Sequence, residues 1–237
     1  MAIKTIMFDL DGTLLPMDQN IFIKEYFSGL AVKLAPYGYE PQQLIKAIYK
    51  GVYTMQTNDG SCTNEVAFWN FFASVYGEES RQHEPVFYDF YQNEFQQVAK
   101  SCGFNPKARK VIDLCKAKGL RVVLATNPLF PSIATESRMK WAGLDKSDFE
   151  YFTVYDNSSY CKPNPNYYLQ IMEKIGADPA ECAMVGNDVT EDMVAVKLGM
   201  QGFLLTDDLI NKNNEDISVY PNGGFDQLIE WIEKITE

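Results

Sequence analysis

The chain has 237 residues, and its 21 Lys and Arg against 32 Asp and Glu give a formal net charge of −11. This length suggests one large domain or two modest ones, with enough chain to bury a core without disulfides. The acidic charge argues against nucleic acid or a membrane surface as the main partner. The single histidine, His83, excludes multi-histidine metal sites and most histidine relays, so we expect any catalysis to rely on carboxylates.

The cysteines and the N-terminal residues indicate in which cellular compartment the protein is expected. The five cysteines are scattered and include no Cys-x-x-Cys pair, which is typical of reduced thiols. Asp9 interrupts the first apolar stretch, no small-residue cleavage site follows, and no apolar run approaches the ~18 residues of a membrane span. We therefore expect a cytoplasmic protein without a membrane segment.

The first predicted element is a buried strand followed by a long helical segment. Residues 3–8 form a short apolar run that ends at Asp9, which predicts a strand leading into a tight loop. Residues 17–104 contain no convincing strand. Their apolar spacing instead predicts helices at 19–35, 41–56, 63–76 and 84–100. The segment is rich in aromatic residues, most of which we expect in a core, with some available to line a substrate pocket.

From residue 105 onwards, predicted strands and helices alternate. Apolar runs predict strands at 120–125, 182–185 and 202–205, and helical patterns occur at 106–118, 131–142, 165–175, 190–198 and 225–235. This alternation predicts a doubly wound, Rossmann-like α/β fold with a parallel sheet and helices on both faces. We therefore expect an α/β core made of residues 1–16 and 105–237, with an inserted all-helical domain at 17–104.

Candidate catalytic residues follow the predicted strands, because open α/β sheets bind ligands beyond the carboxyl ends of their strands. Asp9 and Asp11 are two residues apart, so both carboxylates face the same side of an extended backbone. Such a pair repels unless one member is protonated or a cation lies between them. A hard ion such as Mg²⁺ suits these oxygen ligands and also binds phosphate oxygens. The other strands also end in polar residues: Thr126 and Asn127, Asn187 and Asp188, and Thr206 and Asp207.

Other residues are suited to an anionic ligand. Gly12 lets backbone N–H groups approach an anion closely. Lys162 lies between Cys161 and two nearby prolines that restrict the backbone, and a preset lysine can hold a phosphate as a point charge. Asp188 and Asp192 are four residues apart at the start of a predicted helix, so they can converge on one site.

Four motifs resemble those of the haloacid dehalogenase-like hydrolase superfamily. They are FDLDGTL at residues 8–14, LATN at 124–127, KPNP at 162–165 and GNDVTED at 186–192, and they occur in the family's order. The helical insertion directly after the first motif is similar to the C1-type cap domain of subfamily I. The resemblance implies a Mg²⁺-dependent phosphohydrolase that acts on a small phosphomonoester, with the cap closing over the site.

The resemblance also implies roles for individual residues. Asp9 would be the nucleophile that forms an aspartyl-phosphate intermediate, and Asp11 would be the general acid and then the base. Mg²⁺ would be held by Asp9, by the backbone carbonyl of Asp11 and by an acidic side chain of the fourth motif. The phosphate of the substrate would be bound by Gly12, Thr126, Asn127 and Lys162.

The chain departs from the family pattern at one position. The fourth motif usually has an acidic residue directly after its glycine, where this chain has Asn187. We expect Asp188 to be the metal ligand instead, with Asn187 nearby or coordinating through its amide oxygen. Asp192 is expected to orient Lys162 or metal-bound water.

Two alternative functions stay open at this point. A sugar phosphomutase of the same superfamily keeps both aspartates of the first motif and transfers the phosphoryl group to a substrate hydroxyl. A non-catalytic phosphate-binding regulatory module that has kept the fold is an alternative of another class. We expect the partner to be a small phosphorylated metabolite; its identity and the oligomeric state cannot be read from the sequence. A second anionic group on it could meet one of six basic residues, although these could equally form a solvated face: Lys24, Lys33, Lys46, Lys50, Arg81 and Lys100.

Overall fold

A six-stranded parallel sheet forms the centre of the computed structural model, which describes residues 2–236. The spatial order of the strands is β3-β2-β1-β4-β5-β6, and every neighbouring pair is parallel. The strands are β1 Thr5–Phe8, β2 Arg121–Leu124, β3 Tyr151–Phe152, β4 Cys182–Gly186, β5 Gln201–Leu205 and β6 Asn222–Gly223.

Four helices cover the two faces of this sheet: α5 Pro106–Ala117, α6 Ser132–Trp141, α7 Pro165–Ile175 and α8 Phe225–Ile235. Successive side chains of β1 point to opposite faces, as the pleat of a strand requires. Phe8 belongs to the core cluster that includes Val111 of α5 and Leu228 of α8, whereas Met7 belongs to a second cluster with Ile171 of α7. The predicted doubly wound α/β core is therefore confirmed.

The chain between β1 and α5 is helical. Its helices are α1 Gln19–Leu34, α2 Pro41–Gln56, α3 Asn64–Tyr76 and α4 Glu84–Gln92, with 3-10 segments between them and at Glu94–Ser101. Local signals explain where these helices begin. The Asp18 side chain accepts hydrogen bonds from the first N–H groups of α1, and Pro41 occupies the first position of α2, where it sacrifices no hydrogen bond. The predicted helical cap is therefore present.

Two predicted helices are wrong in part. The helix expected at 84–100 stops at Gln92, because the Asn93 side chain donates a hydrogen bond to the Asp89 carbonyl and competes with the helical backbone. The helix expected at 190–198 is a 3-10 segment that begins only at Met193. Before it, the Asp188 carboxylate accepts hydrogen bonds from the N–H groups of the two residues that should open the helix.

The two edge strands were not predicted. β3 and β6 contain only two residues each, so neither provides the run of alternating or apolar residues that identifies a strand. Their pairing partners, β2 and β5, supply the hydrogen bonds that define them.

The register of the sheet brings the motifs together. Phe8, the last residue of β1, pairs with Leu124 on one side and Val185 on the other. The residues that follow these three strands therefore meet at one edge, where strand order reverses and open α/β sheets bind ligands. Within residues 2–236, every helix falls short of the length and apolar character that crossing a membrane requires.

Candidate active site

The Asp9 carboxylate lies at the carboxyl end of the central strand. Its backbone N–H donates a hydrogen bond to the Val185 carbonyl, 2.9 Å away, which fixes the residue against β4. One carboxylate oxygen, Oδ1, accepts from Lys162 Nζ at 2.8 Å, and Oδ2 accepts from the Thr13 hydroxyl at 3.3 Å. The side chain is thus held in place between Lys162 and Thr13.

Lys162 is buried between two carboxylates. Its ammonium lies 2.8 Å from Asp9 Oδ1 and 2.6 Å from Asp192 Oδ1, and the residue is only 2% exposed. Burial alone would lower the pKa of Lys162, but Asp192 and Asp9 together raise it well above its usual value. Lys162 therefore provides a fixed positive charge directly beside Asp9.

Asp11 pairs with an arginine from α6. Its Oδ2 accepts a hydrogen bond from Arg138, which is 1% exposed and whose guanidinium lies 4.6 Å from the centre of the Phe130 ring. The other oxygen, Oδ1, is buried and accepts no hydrogen bond from the described residues. Burial raises the pKa of the Asp11 carboxyl, with Arg138 opposing and Asp9 adding to the shift. Asp11 therefore keeps a proton to higher pH than an ordinary aspartate, as a general acid requires.

The two acidic residues of the fourth motif have different surroundings. Asp188 Oδ1 accepts from the N–H groups of Thr190 and Glu191 at 2.8 and 2.9 Å. Asp192 uses both oxygens inside the protein, because Oδ1 contacts Lys162 and Oδ2 accepts from the Asp188 N–H at 2.9 Å. Both residues line the cavity described below, but both oxygens of Asp192 are held by Lys162 and by the Asp188 N–H group, so Asp192 orients Lys162.

Asn187 holds the loop that follows Asp9. Its Oδ1 lies 3.0 Å from the Thr13 hydroxyl, whose one proton it shares with Asp9 Oδ2, and its Nδ2 donates to the Asp208 carbonyl at 2.7 Å. Gly12 has a φ of +84°, and a Cβ at this position would lie 2.3 Å from Asn187 Nδ2. Both the backbone conformation and the close approach therefore require glycine here.

Thr126 and Asn127 follow β2. The Thr126 carbonyl accepts from the Thr153 hydroxyl at 2.6 Å and from the Tyr167 hydroxyl at 2.8 Å, which fixes this turn. Asn127 Nδ2 donates to Glu191 at 3.0 Å, while its Oδ1 is buried and has no partner among the described residues. The turn therefore presents polar atoms to the same space as Asp9.

These side chains meet at one end of a cavity of about 980 Å³ between the sheet and the helical segment. The predicted site residues that line it are Asp9, Asp11, Thr126, Asn127 and Asp188. Lys162 and Gly12 are outside the cavity lining. Lys162 lies behind Asp9 and holds its carboxylate, and Gly12 packs against the side chain of Asn187. The arrangement can place a nucleophilic carboxylate, a proton donor and a fixed cation around one group.

The oxygen atoms at this end fit a hard divalent cation. Asp9, Asp11 and Asp188 all line the cavity at this end. In the same residues, no three His, Cys, Asp or Glu side chains are grouped as metal ligands. The expected set needs only two carboxylates, because Asp11 would contribute its backbone carbonyl.

The comparison with known families agrees with this geometry. The profile described as "Hydrolase: haloacid dehalogenase-like hydrolase" matches residues 3–198. The chain belongs to this family. The haloacid dehalogenase-like fold is also found in the crystal structure of a HAD phosphatase from Thermococcus onnurineus, which superposes with a TM-score of 0.59 at 18% identity and covers 97% of this chain and 98% of that one.

Two curated relatives are similar to this chain in sequence. Probable phosphatase IndB of Dickeya dadantii (strain 3937) is 27% identical over 206 residues, which cover 85% of this chain and 80% of IndB. YhcW of Bacillus subtilis (strain 168), whose name assigns it to the phosphatases, is 29% identical over 110 residues. That second match covers 46% of this chain and 49% of YhcW, so it spans about half of each protein.

Sequence reasoning missed several residues that shape the site. Arg138 gave no signal, because a single charged residue on a predicted helix is most often solvated. Glu191 belongs to the fourth motif but was assigned no role, although it accepts a hydrogen bond from Asn127. Thr13 belongs to the first motif but was assigned no role, although its hydroxyl links Asp9 to Asn187. The single histidine, His83, is half-buried, shares a 2.8 Å hydrogen bond with the Tyr39 hydroxyl, and lies outside the cavity lining.

Proposed function

We propose that the protein is a Mg²⁺-dependent phosphohydrolase that cleaves a phosphomonoester through an aspartyl-phosphate at Asp9. The observation that carries this proposal is the position of the Asp9 carboxylate, which faces the cavity while Lys162 lies 2.8 Å behind it. The names of the relatives IndB and YhcW, both phosphatases, support the same reaction class.

In the first step, an oxygen of Asp9 attacks phosphorus and the bond from phosphorus to the ester oxygen breaks. Asp11 donates its proton to the departing oxygen, so the alcohol leaves as a neutral molecule. The raised pKa of Asp11 favours the protonated form that this step needs. Lys162 and the N–H groups of the adjoining turns offset the negative charge that develops on the phosphoryl oxygens.

In the second step, water attacks the phosphorus of the aspartyl-phosphate. Asp11, now ionised, accepts a proton from this water, and the bond between phosphorus and the Asp9 oxygen breaks. Inorganic phosphate leaves and both carboxyl groups return to their starting states. Arg138 holds Asp11 at the same place for both proton transfers.

Mg²⁺ would be held by Asp9, the backbone carbonyl of Asp11 and Asp188, and when bound it supplies positive charge that offsets repulsion between these carboxylates and the phosphate. The all-oxygen donor set supports this assignment. Asn187 is less suited to bind the ion, because both ends of its amide already form hydrogen bonds.

The test is phosphate release from phenyl phosphate by the purified protein with Mg²⁺. Asp9→Asn should abolish turnover, because the amide is not a nucleophile. Asp11→Asn should lower kcat by about 10²–10⁴-fold, the usual contribution of a general acid. Glu173→Gln, an exposed acidic position on α7, should leave kcat unchanged. Turnover by folded Asp9→Asn at the wild-type rate would disprove the nucleophile assignment.

A further inference from the structure

Beyond the catalytic end, the cavity is lined mainly by aromatic and aliphatic side chains of the helical segment. The buried aromatic residues of this wall come from α1, α3 and α4: Phe22, Tyr26, Phe68, Trp69, Phe87 and Tyr91. More exposed aromatic residues, Tyr49 and Tyr53 of α2 among them, also line the cavity. Aliphatic residues such as Ile48 and Val52 of α2 complete this part of the wall, which we call the apolar chamber. Its chemistry differs from that of the carboxylate-rich end beside Asp9.

The cavity is large compared with a phosphate. Its volume of about 980 Å³ lies at the upper end of the ~300–1,000 Å³ typical of sites for drug-sized ligands. The phosphoryl group must lie beside Asp9, so most of the remaining space is in the apolar chamber. The cavity therefore has room for an organic group much larger than a short polar chain.

The charges around the chamber do not favour a second anionic group. Of the six basic residues of residues 17–104, Arg81 lines the cavity, and it is already paired with Glu78 at 2.7 Å and with Asn70 at 2.8 Å. Lys212 also lines the cavity but is exposed to water, which screens its charge. Glu84 adds a negative charge to the same wall. The second negative charge of a bisphosphate or of a phosphorylated acid would thus find little positive charge in the chamber to offset it.

The buried polar atoms of the chamber include the hydroxyl groups of Tyr26 and Tyr91 and also Trp69 Nε1, which has no hydrogen-bond partner within residues 2–236. The hydroxyl groups of Tyr26 and Tyr91 lie 2.9 Å apart and form a hydrogen bond with each other. Burial raises the pKa of Tyr26 to about 12, so this hydroxyl is neutral at physiological pH. A sugar, with a hydroxyl on nearly every carbon, would lose most of its hydrogen bonds to water against these buried rings, and the free Trp69 Nε1 would replace only one of them.

We propose that the substrate is a phosphomonoester of a bulky apolar alcohol, with a fused-ring or branched hydrocarbon group in the apolar chamber. This inference rests on the proposed phosphohydrolase function and specifies its substrate class. The phosphorus–oxygen ester bond breaks at Asp9, the apolar alcohol leaves with the proton of Asp11, and water then releases phosphate from Asp9. Removal of apolar surface from water supplies the binding free energy.

The first test compares three esters of primary alcohols, which have similar leaving groups: 2-(2-naphthyl)ethyl phosphate, ethyl phosphate and glycerol 3-phosphate. We expect kcat/KM for the naphthylethyl ester to exceed that of either small ester by at least about tenfold, as burial of its rings requires. Equal or higher kcat/KM for glycerol 3-phosphate would overturn the proposal.

The second test narrows the chamber. Val52→Phe adds bulk at a half-buried position on its wall and should lower kcat/KM for the naphthylethyl ester by about fivefold or more, with ethyl phosphate unaffected. Lys50→Phe is the matched control, because Lys50 lies on the same helix but is exposed and outside the cavity lining. Equal losses for both esters, or in both variants, would contradict the assignment of the chamber.

A binding measurement separates this inference from the proposed function. Calorimetry should show that 2-(2-naphthyl)ethylphosphonate, which cannot be hydrolysed at a carbon–phosphorus bond, binds at least about tenfold more tightly than ethylphosphonate. Tight binding without turnover of any ester, phenyl phosphate included, would reject the phosphohydrolase and retain the chamber as a ligand site. Turnover of phenyl phosphate without this preference would reject the substrate class alone.

Discussion

Lys162 gives the two acidic residues of the fourth motif different surroundings. Its ammonium engages one oxygen of Asp192, and the N–H group of Asp188 engages the other. Asp188 accepts its two backbone hydrogen bonds through Oδ1, and its side chain borders the cavity. Both residues are acidic and lie four positions apart, yet only Asp188 is placed to contribute an oxygen without losing an ion pair.

This difference leads to a prediction about Mg²⁺ dependence. Asp188→Asn should raise the Mg²⁺ concentration for half-maximal activity by about tenfold or more, because it removes a charged ligand. It should also reduce the rise in melting temperature that Mg²⁺ produces by binding the folded state. Asp192→Asn should lower kcat, because Lys162 loses a partner, and leave the Mg²⁺ requirement nearly unchanged.

The measurements are Mg²⁺ titrations of phosphate release and of the melting temperature for both variants. Asp207→Asn serves as the control, since this acidic residue follows the neighbouring strand β5 but is exposed and outside the cavity lining. A larger effect of Asp192→Asn than of Asp188→Asn on Mg²⁺ affinity would show that the ligand is assigned to the wrong residue.

The sequence predicted those site residues that directly follow a strand or belong to a motif. Asp9, Asp11, Thr126, Asn127 and Asp188 were selected because they follow strands, and the parallel register brings such residues to one edge. Arg138 could not be selected in this way, because it lies in the second turn of α6 and reaches Asp11 only through the packing of that helix on the sheet. Whether the selected residues perform the assigned roles stays a prediction.

At the scale of elements, a short 3-10 turn before the edge strand β3 contacts α5 through side-chain ion pairs. The turn covers Lys146–Asp148, and its Asp148 side chain accepts from Lys116 Nζ at 2.6 Å and from the Asp145 N–H at 2.8 Å. Arg109 Nη2 lies 2.9 Å from the same carboxylate. Burial of the Asp148 carboxyl raises its pKa, but hydrogen bonding to Arg109 and Lys116 lowers the pKa further, so that it lies below its usual value.

Removal of this carboxylate should destabilise the α/β core. Asp148→Asn is expected to lower the free energy of unfolding at neutral pH by about 1–3 kcal/mol, the usual contribution of hydrogen bonds to a charged group, since the carboxylate itself is buried. Because the folded-state pKa is lowered, the stabilisation is complete above the unfolded-state value near 3.8 and is lost as pH falls through the folded-state value. The difference between wild type and variant should therefore shrink only in that acidic range.

Urea unfolding followed by tryptophan fluorescence at neutral and at successively lower pH measures this difference. Asp113→Asn is the control, because Asp113 also pairs with Arg109, at 3.4 Å, but its side chain is 62% exposed. We expect it to change stability by less than about 0.5 kcal/mol. Similar losses in the two variants would mean that burial of Asp148 contributes nothing.

Elements with a long apolar pattern were the ones that the sequence predicted well. The helices α2, α7 and α8 have the bounds expected from their apolar spacing, with prolines at the start of α2 and α7. The failures occurred where a local side-chain hydrogen bond competes with the helix, as at Asn93, or where a strand exists only through its neighbour, as in β3. Neither cause is visible in the periodicity of a single segment.

At the scale of the whole molecule, the helical segment rests on the core through aromatic rings. The ring centres of Phe22 and Phe130 are 6.3 Å apart, and those of Phe95 and Trp141 are 5.0 Å apart. We propose that the cap comprises residues 17–104 and the core residues 1–16 and 105–237. The shape of the cavity between them arises from these tertiary contacts, which is why the motifs predicted its catalytic end and not the apolar chamber.

The net charge of −11 does not exclude a phosphorylated substrate. Lys162 and Arg138 are buried next to Asp9 and Asp11, so their charges act over a few ångströms and are screened little by water. The overall charge instead disfavours extended polyanions, which contact a broad surface.

The most direct test of the central claim is to find the phosphoryl group on Asp9. Asp11→Asn should react normally with 4-nitrophenyl phosphate, whose leaving group needs no proton, and then stall because no base activates water. After acid quenching, mass spectrometry of the peptide that contains residues 8–14 should locate a phosphoryl group on Asp9. A burst of nitrophenol with no phosphorylated peptide, or a phosphoryl group on any other residue, would contradict the account.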